Sequence, residues 1–237
     1  MTTIRVVAET GSTNADLLAL AGAGSAPEGL WLRAERQTAG RGRQGRPWVS
    51  PTGNLYASTA VRLRPNDPAA ASLGFVAAVA LDEAVRVHLP DATALHLKWP
   101  NDLLLGGAKL SGMLLERAGD TVVIGIGVNL AHHPDLPDRA TTSLAANGVT
   151  VAPDTFLETL AEGFARWLGR WRGEGLAPVR QRWLDRAHPV GTALTARLPD
   201  GGSVTGLFDG LDRDGALLLR LADGTHHAMH AGDVLLA

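Results

Sequence analysis

The feature that most constrains the fold of this chain is a change in sequence pattern near residue 188. Upstream, apolar residues recur at helical spacing in several segments, whereas downstream they form only short runs between turns. The runs are residues 193–198, 204–208, 216–221 and 234–236, and the turns are Asp200-Gly201-Gly202, Asp214-Gly215 and Asp223-Gly224. Runs this short bury their apolar faces by pairing into a sheet. We therefore predict a boundary at His188-Pro189 and a small all-β barrel in residues 188–237.

Residues 1–187 combine helical and strand patterns. Residues 68–89 carry an apolar stripe at helical spacing, and a second stripe from Phe156 to Trp171 includes two tryptophans that we expect in the core. Strand-like runs occupy residues 4–8, 30–35, 55–63, 95–99, 108–116 and 122–130. Gly106-Gly107 is typical of a hairpin turn. The fold class predicted for this part is α+β, a mixed or antiparallel sheet with flanking helices.

Composition excludes several classes of protein. The 237 residues carry 22 basic and 24 acidic side chains, and this net charge of −2 argues against a protein that binds nucleic acid or membranes over its whole surface. The chain has no cysteine, which excludes disulfides, thiol catalysis and cysteine-bound zinc. No apolar stretch is long enough to span a bilayer, and the first residues lack the order of a signal peptide. We expect a cytoplasmic protein whose basic groups act locally.

The densest cluster of basic residues falls in a long segment without helical period, residues 37–53, which we call the arginine loop. Gly40, Gly42 and Gly45 alternate there with three arginines. Glycine lets backbone N–H groups approach a ligand, and arginine offers paired donors to phosphate or carboxylate oxygens. The segment also matches G-x-G-x-x-G, but Pro47 prevents the helix that this motif needs. The pattern predicts a site for a small polyanion, with arginines unpaired in the free protein; a merely solvated loop is the alternative.

Only two of the 22 basic residues are lysines, Lys98 and Lys109. In a chain that otherwise uses arginine, a retained lysine indicates a need for a compact, rotatable ammonium group. The alternative is that both lysines are surface residues retained by chance. Asn101 and Asp102 follow Pro100, so their side chains should project from a strand end, where they can bind a ligand or hold Mg²⁺ through water. An Asx turn would also explain them. Lys109 begins the next strand, and we expect it near the same strand end.

Two further segments place small or polar residues where a ligand could approach. Gly125 and Gly127 interrupt a strand of Val and Ile that leads to Asn129. Glycine within a strand often marks the close approach of a ligand or of another backbone. Ser12-Thr13-Asn14 offers three hydrogen-bonding side chains at a helix start, where capping alone would also explain them.

Taken in order, these segments resemble the biotin protein ligases. The resemblance rests on Ser12-Thr13-Asn14, Gly40-Arg41-Gly42-Arg43-Gln44-Gly45-Arg46 with Trp48, Lys98-Trp99-Pro100-Asn101-Asp102, Lys109-Leu110-Ser111-Gly112 and Gly125-Ile126-Gly127-Val128-Asn129. It spans residues 9–130 in order and spacing, and the terminal β domain is similar to the small SH3-like domain of that family. The resemblance implies a class II synthetase-like catalytic domain in residues 1–187 and an SH3-like barrel in residues 188–237.

The resemblance also implies a two-step reaction. Biotin and ATP give biotinyl-5'-AMP and pyrophosphate, and the biotinyl group then passes to a lysine of a biotin carboxyl carrier protein. The carboxylate of biotin attacks the α-phosphorus, so the protein positions groups and neutralises charge rather than supplying a nucleophile. Lys109 and Arg43 are implied as catalytic, and Asp102 as the residue that holds Mg²⁺. The implied ligand-binding residues are Ser12, Thr13, Gln37, Arg41, Lys109 and the backbone of Gly112 for biotin, and Arg43, Arg46, Trp48, Asn101, Asp102 and Asn129 for the nucleotide, with Asn14, Gly40 and Gly42 completing the set.

Two other functions remain open from the sequence. A lipoate or octanoate ligase or transferase would share the fold, although its apolar channel gives no role to the polar Ser12, Thr13 and Gln37. A nucleic-acid-binding module would use the arginine loop, although the net charge of −2 and the single aromatic residue of the loop, Trp48, argue against it. Because the motifs begin at Ser12, we expect no N-terminal DNA-binding domain. The expected partners are a carrier domain and, as a further option, a second copy in a homodimer, with no DNA and no membrane.

Overall fold

The computed structural model describes residues 3–198, 201–230 and 232–236, which form two sheets and four α-helices. The strands of the first sheet are β1 (Thr3–Thr10), β2 (Leu30–Gln37), β3 (Leu55–Arg62), β4 (Leu95–Lys98), β5 (Asp102–Leu105), β6 (Ala108–Ala118) and β7 (Thr121–Val128). The helices are α1 (Thr13–Gly22), α2 (Leu73–His88), α3 (Pro153–Glu174) and α4 (Leu176–Leu184). The strands of the second sheet are β8 (Ala193–Arg197), β9 (Ser203–Leu211), β10 (Leu217–Arg220), β11 (His226–Met229) and β12 (Asp233–Leu236).

The first sheet has the strand order β1-β2-β3-β7-β6-β5-β4. β1 and β2 are parallel and the other neighbouring pairs are antiparallel, which confirms the predicted mixed sheet with its flanking helices. Gly106 and Gly107 form the turn between β5 and β6, as their pattern predicts, and both have positive φ. β5 was not expected, because four residues between two turns are too few to show a strand pattern.

The side chains of β7 point alternately to the two faces of the first sheet, and the two faces have different surroundings. Its even-numbered residues from Val122 to Val128 are buried in the main core, on the face that carries α2 and α3. On the opposite face, Val123 packs against Leu17 of α1 and Leu32 of β2. Beyond Val123 this face of the strand carries glycines, which leave room above the sheet.

The main core confirms the expected role of the α3 tryptophans. Trp171 is fully buried and its indole Nε1 donates to Ser72 Oγ at 2.8 Å, while Trp167 is 7% exposed. Phe164, on the same helix, meets Trp31 of β2 edge to face with ring centroids 5.6 Å apart. Helices α2 and α3 therefore pack over the core face of the sheet.

The second sheet has the order β11-β10-β9-β8-β12 with antiparallel pairs, so the predicted all-β domain is confirmed. Within the described residues β11 and β12 are edge strands and do not close a hydrogen-bonded ring. The sheet packs on the first unit: Trp183 of α4 lies between Phe75 and Phe208, and Trp99 Nε1 donates to Gly215 O at 3.3 Å. The predicted turn at Asp200 lies partly outside the described residues. The domain boundary at residue 188 stays a prediction.

α4 was also not expected from the sequence, because Gly175 and Pro178 interrupt the helical pattern of α3. Gly175 adopts a φ of 81° and separates the two helices. None of the described helices is long and apolar enough to cross a membrane.

Candidate active site

A cavity of about 290 Å³ opens on the α1 side of the first sheet. Its walls are the start of α1, strands β3, β6 and β7, the arginine loop, residues 134–141, and Asp233 from the second sheet. Every ligand-binding residue predicted from the sequence lines this cavity except Gly40. A Cβ on Gly40 would lie 2.7 Å from Ser50 Oγ and from the Trp48 carbonyl, so this glycine lets the arginine loop fold back on itself. A contact between Gly40 and a ligand stays a prediction.

One end of the cavity, which we call the polar end, holds a continuous chain of hydrogen bonds. Gln37 Oε1 accepts from the Thr13 backbone N–H at 2.9 Å and lies 3.2 Å from the Thr13 hydroxyl, whose single proton is available to Ser58. Thr13 Oγ1 lies 2.7 Å from Ser58 Oγ, which donates to Asn14 Oδ1 at 2.7 Å. Asn14 Nδ2 in turn donates to Glu116 Oε2 at 2.8 Å. Each group fixes the orientation of the next, so the polar end presents a defined set of donors and acceptors.

The start of α1 positions the polar end. Ser12 is the N-cap and its hydroxyl accepts from Ala15 N at 3.5 Å, as the capping pattern predicts, so Ser12 has a capping role as well as a place at the cavity. Arg41 Nη2 donates to Glu116 Oε1 at 3.2 Å and extends the hydrogen-bond chain into the arginine loop. Ser58 and Glu116 were missed by the sequence analysis. Of these two residues only Ser58 carries a signal in the sequence, as a polar residue within the apolar run of β3.

Three glycines form the floor of the cavity. A Cβ on Gly125 would collide with the amide of Asn14, and one on Gly127 would lie 2.6 Å from the Trp48 ring. A Cβ on Gly112 would lie 3.2 Å from the same ring. The sequence pattern predicted close approach of a ligand or a backbone, whereas here two side chains approach the strand. The buried indole Nε1 of Trp48 has no hydrogen-bond partner among the described residues, so the cavity wall carries a donor that is not engaged.

Asp102 lies between the two lysines of the chain. Lys109 Nζ is 2.6 Å from Asp102 Oδ1, and Lys98 Nζ is 3.5 Å from Oδ2. Lys109 also lies 5.6 Å from the centroid of the Trp48 ring, within the range of a cation–π contact. Lys98 donates to Val234 O at 2.8 Å, and burial lowers its pKa against the opposing charge of Asp102. The side chains of Lys109 and Asp102 meet, as predicted, but the expectation that they share one strand end is wrong. Lys109 pairs with Leu104 beside the Gly106-Gly107 turn, whereas Asp102 pairs with Gly112 at the other end of β5. Lys98 bridges to the second sheet.

The arginine loop is held by ion pairs. Arg46 Nη2 is 2.5 Å from Asp233 Oδ2, and Arg43 Nη1 is 3.4 Å from both Asp233 Oδ1 and Asn101 Oδ1. The expectation of unpaired arginines is wrong, because carboxylates distant in sequence supply their partners: Asp233 for Arg43 and Arg46, and Glu116 for Arg41. Burial opposes the ionised form of Asp233, but the hydrogen bond from Arg46 and the charges of Arg43 and Arg139 hold its pKa below its usual range.

Residues 134–141 complete the wall and were not expected at the site. Lys109 N donates to Ala140 O at 2.9 Å, and Thr142 N donates to Lys109 O at 3.0 Å, so this segment runs beside the start of β6. Arg139 consequently lines the cavity, with its Nη2 held 2.6 Å from Asp138 Oδ2. A segment without regular structure gives no periodic pattern, so nothing in the sequence placed it there.

Asp102 was also predicted to hold Mg²⁺ through water. Its two oxygens face the ammonium groups of Lys109 and Lys98, so a metal ion would have to displace one cation and approach another. The neighbouring amides of Asn101 and Asn129 donate their Nδ2 groups to backbone carbonyls. In the part of the chain that the structure describes, no group of three or more metal-binding side chains is placed to hold an ion. These residues do not fit a resident Mg²⁺.

The cavity therefore joins two chemical environments. The polar end offers uncharged donors and acceptors from Thr13, Ser58 and Asn14, whereas Lys109, Arg43 and other cations supply positive charge elsewhere in the wall. No histidine is among the described residues that line it, so the lining contains no serine–histidine pair. Fixed cations stabilise negative charge that develops during a reaction. The arrangement suits a ligand that is uncharged and polar at one end and anionic at the other.

Comparisons with known proteins agree with this geometry. Residues 10–129 match the model of the biotin/lipoate A/B protein ligase family, and residues 192–236 match the biotin protein ligase C-terminal domain. The biotin–(acetyl-CoA-carboxylase) ligase of Paracoccus denitrificans is 44% identical over 228 residues, which cover 91% of this chain and 93% of that protein. The enzyme of the same name from Mycobacterium tuberculosis is 36% identical over 236 residues, 97% of this chain and 87% of its own.

A solved structure shows that the fold extends over the whole chain. The biotin protein ligase from Aquifex aeolicus, in complex with biotin and ATP, aligns with a TM-score of 0.87 over 100% of both chains at 23% identity. At that identity the likeness establishes the fold. The family model and the two curated relatives carry the assignment further: the chain is a ligase and belongs to the biotin/lipoate A/B protein ligase family.

Proposed function

We propose that this chain activates biotin with ATP and transfers it to a lysine of a biotin carboxyl carrier domain of acetyl-CoA carboxylase. The observation that carries the proposal is the presence of the polar end and of several cations in the wall of one cavity of about 290 Å³. Biotin has an uncharged ureido group at one end and a carboxylate at the other. A single biotin molecule can therefore satisfy both environments.

The polar end is suited to the ureido group. A ureido group presents two N–H donors and one carbonyl acceptor, and the hydroxyls of Thr13 and Ser58 and the amides of Asn14 and Gln37 offer both kinds of partner. Because these groups already fix one another, little side-chain entropy is lost on binding. In this proposal Ser12 completes the pocket by holding the start of α1 in place.

The cations are suited to the first chemical step. An oxygen of the biotin carboxylate attacks the α-phosphorus of ATP, the bond from that phosphorus to the bridging oxygen breaks, and pyrophosphate leaves. We propose that Lys109, oriented by Asp102 at 2.6 Å, neutralises charge between the carboxylate and the α-phosphate. Arg43 and Arg46 would bind the remaining phosphates, with Mg²⁺ accompanying the nucleotide rather than residing on the protein.

In the second step the amine of the target lysine attacks the acyl carbon of biotinyl-5'-AMP. The bond from that carbon to the phosphate oxygen breaks, AMP leaves, and the nitrogen loses a proton to the solvent. Arg41, Arg43 and Trp48 on the arginine loop would cover the intermediate until the carrier arrives, which limits its hydrolysis. We place the reaction in the cytoplasm, where ATP is available. We expect no DNA binding and, as a further option, a homodimer.

A lipoate or octanoate ligase or transferase is the second candidate, because the family model includes lipoate enzymes. Lipoate and octanoate carry no polar group at the end remote from the carboxylate. Their binding would cover the polar end with hydrocarbon and leave its remaining donors and acceptors without partners. The polar end therefore favours biotin.

Pyrophosphate release with biotin, lipoate or octanoate tests the proposal. We expect release with biotin and ATP and only background release with the other two acids. Ser58→Ala should raise KM for biotin about tenfold, with KM for ATP unchanged, because it removes a link of the polar end. Ser143→Ala, which changes a buried serine that does not line the cavity, is the matched control. Faster release with lipoate than with biotin would refute the biotin assignment.

A further inference from the structure

Three cationic side chains of the catalytic unit contact the start of β12. Arg43 Nη1 donates to Gly232 O at 3.1 Å and lies 3.4 Å from Asp233 Oδ1. Arg46 Nη2 is 2.5 Å from Asp233 Oδ2, and Lys98 Nζ donates to Val234 O at 2.8 Å. Gly232 and the first two residues of β12 are thus bonded to the arginine loop and to the end of β4. Contacts of this kind link the two units through charge rather than through apolar packing alone.

The local sequence places Asp233 at the cavity. Gly232 has a φ of 144°, and a Cβ there would lie 2.6 Å from the carbonyl oxygen of Arg197. Only glycine can make this bend beside β8. The strand then begins with Asp233, which pairs with Arg197 in the β8–β12 ladder while its side chain lines the cavity. The ion pairs hold the pKa of Asp233 low, so the carboxylate is charged at neutral pH.

The arginines retain most of their donors in these pairs. A guanidinium group carries five N–H donors on three nitrogens. Among the described contacts Arg43 uses only Nη1, and Arg46 uses only Nη2, which also donates to Gln44. The remaining nitrogens of both groups can therefore bind an anion while Asp233 stays in place. Both arginines also line the cavity.

We propose that Asp233 is a positioning residue for ATP, through which the second sheet holds Arg43 and Arg46 over the cavity before the nucleotide binds. Asp233 itself does not contact the reacting atoms. Because this carboxylate already orders the two long side chains, they lose less conformational entropy when the phosphates of ATP bind. This inference rests on the function proposed above, and it gives the second sheet a specific part in nucleotide binding.

The test compares Asp233→Asn with Asp209→Asn in the full chain. Asp209 is a partly exposed carboxylate on β9 that pairs with His226 and Arg220, so its loss removes a charge from the same sheet without touching the cavity. We expect Asp233→Asn to raise KM for ATP about tenfold while KM for biotin and kcat stay within about twofold, since two side chains lose their orientation. Asp209→Asn should leave all three constants unchanged.

A second measurement separates positioning from a general structural role. In an Arg46→Gln background the substitution Asp233→Asn should raise KM for ATP by a smaller factor than in the unaltered chain, because one of its two partners is gone. A KM for ATP that is unchanged or lowered in Asp233→Asn, an equal rise for biotin, or full additivity with Arg46→Gln would overturn the inference. If the unaltered chain releases no pyrophosphate with biotin, the proposed function fails instead.

Discussion

Replacing Lys109 by arginine keeps the charge and changes its shape. Lys109 is 16% exposed, its Nζ is 2.6 Å from Asp102 Oδ1, and a Cβ on Gly112 would lie only 3.1 Å from that nitrogen. The ammonium therefore occupies a narrow space bounded by Asp102, the cavity floor and the Trp48 ring. A planar guanidinium is larger and cannot rotate its donors as the ammonium does.

The expected loss follows from this confinement. If the guanidinium cannot lie between the carboxylate and the α-phosphate, the transition state loses one preorganised cation, which corresponds to a fall in rate of about two orders of magnitude. Lys109→Ala should be only slightly worse. Lys98→Arg is the control and should lower the rate less than about tenfold, because its main contact, the carbonyl of Val234, also accepts from a guanidinium. Pyrophosphate release measures all three, and a near-normal rate for Lys109→Arg would refute the reasoning.

Two further predictions concern the arginine loop. Arg43→Gly should release biotinyl-5'-AMP and increase labelling of bystander proteins, since the loop loses a group that covers the acyl phosphate; background labelling, detected on a blot, would contradict this. Gly127→Ala should lower the rate of pyrophosphate release at least tenfold. The added Cβ would lie 2.6 Å from the Trp48 ring and would displace the ring, which tryptophan fluorescence would detect. Gly169→Ala, where a Cβ meets nothing within 4 Å, should leave the rate unchanged.

Much of the fold could be predicted because its pattern is local. The stripe of α2, the run of Val and Ile in β7 and the turn at Gly106-Gly107 each depend on neighbouring residues only. β5 was not predicted because four residues are too few to show a strand pattern. α4 was not predicted because Gly175 interrupts the helical pattern. The sequence therefore predicted the fold class but not these two short elements.

The candidate site was predictable where motif and geometry coincide. Asp102 and Lys109 were expected to lie together, and they are joined across β5 and β6. Ser58, Arg139 and Asp233 were missed, since each reaches the cavity through tertiary packing that no local spacing encodes. Asp233 lies 187 residues beyond Arg46 in the sequence, and only the docking of the second sheet brings them together.

The most direct test of the proposed function is mass spectrometry of a biotin carboxyl carrier domain after incubation with this chain, biotin and ATP. We expect one biotinyl group on a single lysine of the carrier, formed only when ATP is present and strongly reduced with Lys109→Arg. A carrier that stays unmodified with biotin but gains a lipoyl or octanoyl group when the corresponding acid is supplied would contradict the account.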